Sequence, residues 1–213
     1  MQNDGRVYRS ELREAQAAAT RARILDAAGE EFAAKGFAGA TLSAIATAAG
    51  VSVETVKLHG AKRDLLLAAW NHRLGGPSPD MPFLEDPSFR DDVASIPDAA
   101  LPRAIAEMAA DISARGAALW LALTGAARVD ETLEREVAAQ VGRRNAEFAL
   151  MIDEFARRGI ARTDRSRAHL AAGLAFILSA EGYEQLVRGW GLTHVEYVDW
   201  LADAIARLIL AEH

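Results

Sequence analysis

Residues 41–66, TLSAIATAAGVSVETVKLHGAKRDLL, constrain the chain most, because they hold two short helices and the corner between them. Thr41 is placed to cap the first helix, its hydroxyl accepting from backbone N–H groups of the opening turn. Leu42, Ile45 and Ala46 recur at helical spacing and make one apolar face. Ala49 is small enough to let a second helix approach. Gly50 stands where the chain must turn, and glycine enters the left-handed conformation without steric penalty. Val51 plugs the corner, and Ser52 caps a second helix expected from about Val53 to His59. Two helices joined in this way form a helix-turn-helix, whose second helix lies in the major groove of DNA.

Such a pair cannot bury a core alone. The preceding segment supplies the support: Ile24, Leu25, Ala28, Phe32 and Ala33 share one face of a helix expected over 20–35, with Gly36 as its stop and Phe37 as a corner anchor. After the corner, Lys62 and Arg63 open a helix over 62–74 with Leu65, Leu66, Ala69 and Trp70 on its apolar side. Residues 1–19, polar and Ala-rich with Arg6, Arg9 and Arg13, read as a flexible arm or a frayed extension of the first helix.

The stretch resembles the DNA-binding segment of the TetR (tetracycline-repressor) family of bacterial transcriptional regulators. The resemblance rests on Thr41, Ile45, Ala46, the run Ala49-Gly50-Val51-Ser52, Thr55, Val56, Lys62, Leu65 and Leu66, and on ILDAAGEEFAAKGFAGAT before it. It implies an all-α protein with an N-terminal three-helix bundle containing the helix-turn-helix, followed by a helical ligand-binding and dimerisation domain. The corresponding division is an arm at 1–19, a DNA-binding domain at 20–66 and an effector and dimerisation domain at 67–213. The chain departs from the family pattern after Thr55-Val56. Lys57 replaces the usual tyrosine, and Leu58-His59 run into Gly60-Ala61 without the usual phenylalanine. Leu58 is expected to fill the space that phenylalanine leaves.

Charge is distributed in keeping with a nucleic-acid partner. The net charge of −6 is unfavourable, yet residues 1–73 carry 10 Lys+Arg against 8 Asp+Glu, and the remainder 14 against 22. The residues expected at DNA are Thr41, Ser43, Ser52, Val53, Thr55, Lys57, Leu58, His59 and Lys62. Hydroxyls at a helix start suit phosphates, Val53 suits a thymine methyl, and Lys57 and Lys62 suit phosphate oxygens. The resemblance implies double-stranded DNA as the partner, as a palindromic operator read by a homodimer.

Beyond residue 74 no segment alternates with period two, so no sheet is expected. Helices are expected near 99–114, 116–128, 130–158, 165–188 and 193–210, after a proline-rich connection over 75–98 with short helical turns near 86–94. The run from Ala117 to Ala127 is apolar nearly all round, as a buried helix or a cavity wall would be. Trp120 and Thr124 share one of its faces. With Met108, Phe148, Met151, Phe155 and Phe176 they are the expected lining of a largely apolar pocket for a small-molecule effector; plain core packing is the competing explanation for each. The resemblance implies dimerisation through the last two long helices, where Ala171, Leu174, Leu178, Leu201, Ile205 and Leu208 form stripes.

With no cysteine the chain has no disulfide, thiolate metal site or cysteine nucleophile. No histidine pair has metal-site spacing, and no Gly-rich phosphate loop occurs. No catalytic residue, metal or cofactor is expected, and the protein is not expected to be an enzyme. MQNDGRVYRS lacks the apolar run of a secretory signal, and Leu170 to Ala180 is too short to span a bilayer, so a soluble cytoplasmic protein is expected. These features support a ligand-responsive transcriptional regulator, most simply a repressor released from DNA by a small molecule. The alternative is a helical small-molecule-binding or scaffolding dimer that has lost DNA recognition, motivated by the altered Lys57–Gly60 segment.

Overall fold

The computed structural model describes residues 4–74 and 93–211. Nine helices are named here: α1 (Asp4–Gly39), α2 (Leu42–Ala49), α3 (Val53–Lys57), α4 (Lys62–Leu74), α5 (Leu101–Ala127), α6 (Glu131–Arg157), α7 (Arg167–Ile177), α8 (Ala180–Tyr183), which runs on into a π-helical turn over Glu184–Gly189, and α9 (His194–Leu208). Among the described residues the only β pairing is an isolated bridge between Ala161 and Leu210. The fold is all-α, as the periodicity of the sequence requires.

Helix boundaries follow local chemistry. Asp130 caps α6 by accepting from the N–H groups of Thr132 and Leu133. Thr193 and Glu196 form a reciprocal capping box at the start of α9. In α1 the backbone leaves helical geometry at Gly36 (φ 66°, ψ 177°), the expected stop; upstream, the helix continues through 4–19. The proposed connection at 75–98, with Met81, Phe83, Leu84 and Phe89, lies outside the described residues as far as residue 92.

Two expected elements take a different form. The segments at 99–114 and 116–128 are one helix, α5. Gly116 sits buried in its middle; glycine costs about 1 kcal/mol in a helix interior, and burial on both sides of it outweighs that. Conversely, 165–188 is not one helix. It breaks after Ile177 because Ser179 takes an extended conformation (ψ 149°) and caps the next turn, accepting from the N–H of Gly182.

Helix α5 spans roughly 40 Å at 1.5 Å per residue, and its two halves are buried in two separate cores. Leu119, Trp120, Ala122 and Leu123 pack with Ile24, Ala28 and Phe32 of α1, with Ile45 and Val56, and with Leu65, Leu66, Ala69 and Trp70 of α4. Leu101, Ile105, Ala106 and Ala110 pack with Met151, Ile152 and Phe155 of α6, Leu170 and Leu174 of α7, and Tyr197, Leu201 and Ile205 of α9. The division expected at residue 66 falls inside α4, and apolar residues on both sides of that point share the first core.

The connection entering α5 is pinned to the end of α6. The half-buried Arg158 donates to the carbonyls of Val93 (2.7 Å) and Ile96 (3.0 Å) and pairs with Asp98 (3.0 Å) and Glu154 (2.9 Å). Hydrogen bonds from Arg157 and Arg158 hold the Glu154 carboxyl at about 2, well below its ordinary 4.5. The folded value lies below the unfolded one. The stability Glu154 supplies is therefore complete above pH 4.5 and is lost as pH falls toward 2. Urea unfolding at stepped pH should show Glu154→Gln flattening this acid limb while leaving the neutral-to-alkaline profile parallel to that of the parent. Leu123, fully buried where α5 meets the first core, gives a second test: Leu123→Ala should cost about 3 kcal/mol of unfolding free energy.

Candidate nucleic-acid interface

The corner is built as its residues dictate. The Thr41 hydroxyl accepts from the Ala44 N–H at 3.1 Å. Gly50 takes the left-handed conformation (φ 67°, ψ 37°), and its N–H donates back into α2; a side chain there would be strained whatever the space around it. The Val51 N–H reaches the Ala46 carbonyl at 3.0 Å. The Ser52 hydroxyl accepts from the Thr55 N–H at 3.1 Å and lies 2.9 Å from the Thr55 hydroxyl. Helix α3 is shorter than the expected span to His59. It ends at Lys57, and His59 and Gly60 follow in tighter turns, their N–H groups donating to Val56 and Lys57.

Thr41, Ser43, Ser52, Lys57 and Leu58 are exposed, while Val53, Thr55, His59 and Lys62 are half-buried. Val56 is the fully buried residue of α3 and Val53 packs against the same core, so its methyls are partly spent inward. Leu58 does not fill the space of the missing phenylalanine: it is 86% exposed. Leu65 and Leu66 close the core behind α3. The Lys62 ammonium sits 4.9 Å from the Phe37 ring centroid and 3.4 Å from the Ala38 carbonyl oxygen, holding the start of α4 to the end of α1. Its partners explain a cation at a helix N-terminus without any ligand. Asp64, which accepts from the Ala61 N–H at 2.9 Å, offsets the charge.

At the other end of α4 lies the most polar part of the first core. Trp70 and Trp120 are in contact, with ring centroids 5.1 Å apart and planes tilted by 41°. The Trp70 indole N–H donates to Gln140 of α6. The Arg144 guanidinium lies over the Trp120 ring, 5.5 Å from its centroid. Burial lowers the Arg144 pKa, and Glu181 and Glu147 oppose the shift. The Trp120 indole nitrogen and the Arg144 Nε are both buried without a hydrogen-bond partner.

The seven residues expected to line an effector pocket are not gathered around one cavity. Trp120 faces the first core; Met151, Phe155 and Phe148 face the second; and Phe176 is 79% exposed, because α7 turns its other side, Leu170, Leu174 and Ile177, inward. Met108 and Thr124 are half-buried, and the Thr124 hydroxyl donates to the Leu121 carbonyl of its own helix. A cleft of about 290 Å³ lies elsewhere, where α1, α5 and the π-helical turn meet, between Phe32, Leu121, Glu184 and Arg188.

The expected subunit-contact stripe also needs correction. Leu174, Leu201 and Ile205 are fully buried within the chain, and Ala171 and Leu178 are half-buried; of the six only Leu208 faces out, at 58% exposure. These helices have a second apolar face. On α7 the outward residues Ala168, Ala172 and Phe176 recur every fourth position; on the neighbouring α9, the exposed Trp200 and Leu208 stand eight apart with the half-buried Ala204 between them. The sequence carried this signal as a second i, i+4 series beside the buried one. Among the described residues there is no cluster of three metal-ligating side chains, and no helix is long and apolar enough to cross a membrane.

Residues 24–69, which run from the core face of α1 through the corner into α4, match the N-terminal model described as "Bacterial regulatory proteins, tetR family". No curated protein matches the chain in sequence. Among solved structures, a putative transcriptional regulator from Saccharomonospora viridis in complex with choline is 21% identical. It covers 92% of this chain and 100% of its own, with a TM-score of 0.68. A putative TetR-family transcriptional regulator from Mesorhizobium loti is 19% identical over 88% of this chain and 94% of its own (TM-score 0.63). FadR from Bacillus subtilis, in complex with stearoyl-CoA, is 16% identical over 87% and 97% (TM-score 0.66). At these identities the structural likenesses establish the fold.

Lys57 is the exposed cation of α3, whereas Lys62 is engaged with Phe37. Lys57→Ala should weaken DNA binding evenly across sequences and lower the salt slope by about 1 per subunit. Fluorescence anisotropy over a salt series measures both.

Proposed function

We propose that this chain, a member of the tetR family of bacterial regulatory proteins by its residues 24–69, is a homodimeric repressor released from a palindromic operator by a small molecule. The observation that carries the reading is the double attachment of α4. Its first turn follows α3 directly and is held to α1 through Lys62, and its far end is locked to the effector half through Trp70, Trp120 and Gln140. A ligand that favours a different arrangement around Trp120 would displace α4 and, with it, α3. The shift in DNA affinity is bounded by the ligand's differential affinity for the two arrangements.

In this reading residues 20–66 carry the DNA contacts and 67–213 the effector and subunit contacts, with 1–19 as an arm, and the protein works in the cytoplasm. Thr41, Ser43, Ser52 and Lys57 make contacts to the DNA backbone, Thr55 and Lys62 brace the corner behind them, and Leu58 and His59 lie nearest the bases. The relatives bound to choline and to stearoyl-CoA support a small organic effector, and the apolar rings of Trp70 and Trp120 favour a largely apolar one. The outward stripes of α7 and α9 supply the subunit contact, as a four-helix bundle between two copies. Two α3 helices would then stand about 34–36 Å apart, one turn of DNA.

The alternative, a ligand-binding or scaffolding dimer without DNA recognition, draws on the shortness of α3. Binding of the full chain to the DNA flanking its own gene, against random duplex at several salt concentrations, separates the two. Equal affinity for both DNAs at every salt would sink the regulatory reading. For the dimer, the pair Phe176→Glu and Leu208→Glu should give a helical monomer by light scattering and circular dichroism, and an unchanged dimer would place the contact elsewhere.

A further inference from the structure

Among the described side chains of residues 13–73, Leu58 is the one large apolar group that stands exposed, at 86%. Its backbone is fixed: it is the C-cap of α3 in helical conformation (φ −64°, ψ −20°), and its N–H donates to the Glu54 carbonyl at 3.2 Å. The fold does not use its side chain, since Val56, Leu65 and Leu66 are fully buried and complete the packing behind α3. Most of the rest of α3 is already committed. Val53 leans on the core, and the Thr55 hydroxyl is held by Ser52. Glu54, Lys57 and Leu58 are what α3 turns outward.

These three differ in what they can do in a major groove. Lys57 is a point charge suited to phosphate, which carries no sequence information. Glu54 is repelled by phosphates. Leu58 has no hydrogen-bonding group, and the one apolar feature on the major-groove edges of the four bases is the thymine 5-methyl. We infer that Leu58 reads a thymine 5-methyl group in each operator half-site and is a specificity-determining residue of the interface. The inference rests on the DNA-binding reading above and assigns to Leu58 the methyl contact that sequence spacing assigns to Val53.

The test uses the full-length chain and a DNA site selected with it from a random duplex pool. Each thymine of that site is replaced in turn by deoxyuridine, which keeps the pairing and phosphates and removes only the methyl, and affinity is read by anisotropy. One thymine per half-site should be sensitive, losing roughly fourfold per methyl, the equivalent of one buried carbon. Leu58→Ala should bind the thymine site more weakly, lose the thymine–uracil difference at that position, and keep its helicity and melting temperature. Val53→Ala should retain the difference. Full methyl sensitivity in Leu58→Ala, or no sensitive thymine in a site that is bound specifically, overturns the inference and leaves DNA recognition standing. Failure to select any site overturns both.

Discussion

The burial of α5 in two cores is the constraint on which the rest depends. One half of the helix is the floor under α1 and α4, and the other is a wall of the bundle formed by α6, α7 and α9. A helix is stiff along its axis, because each backbone hydrogen bond ties successive turns together. Neither core can therefore move relative to the other without sliding or rotating packed side chains along α5. Close packing makes such shifts discrete rather than gradual, which is what a two-state regulator requires. Arg158 at the α6 end and Gln140 at the Trp70 contact tie α6 into the same frame.

The part of the fold set by local chemistry was legible in the sequence. Thr41, Gly50 and Ser52 act through hydrogen bonds spanning three or four residues, and Thr193 with Glu196 does the same, so residue type and spacing suffice to find them. Where tertiary contacts decide the outcome, local residue type does not reveal it. Gly116 looks like a helix stop until both of its flanks are buried. Ser179 looks like one more residue of an apolar helix until it turns extended and caps the next one.

The candidate sites divide in the same way. The exposed polar residues of α2 and α3 could be listed because a helix-turn-helix fixes which positions flank the corner. Residues of the C-terminal half could not, because an apolar residue at helical spacing says nothing of which core it enters. Trp120 and Phe155, expected as facing walls of one pocket, lie in different cores. Arg144 carries no local signature at all, and only packing sets its guanidinium over Trp120. On α7 and α9 two apolar stripes run side by side. The one with larger aliphatic residues draws the eye, and the structure spends it on the chain's own interior.

The Trp70–Trp120 contact has an optical consequence. Two indoles 5.1 Å apart and tilted by 41° exchange excitation and share one emission environment, and the guanidinium over Trp120 polarises that environment. The other two tryptophans, Trp190 and Trp200, sit at the surface at 77% and 43% exposure and emit to the red of them. The blue side of the protein's own fluorescence is thus a gauge of how well the contact between α4 and α5 stays shielded from water, read without any label on the molecule.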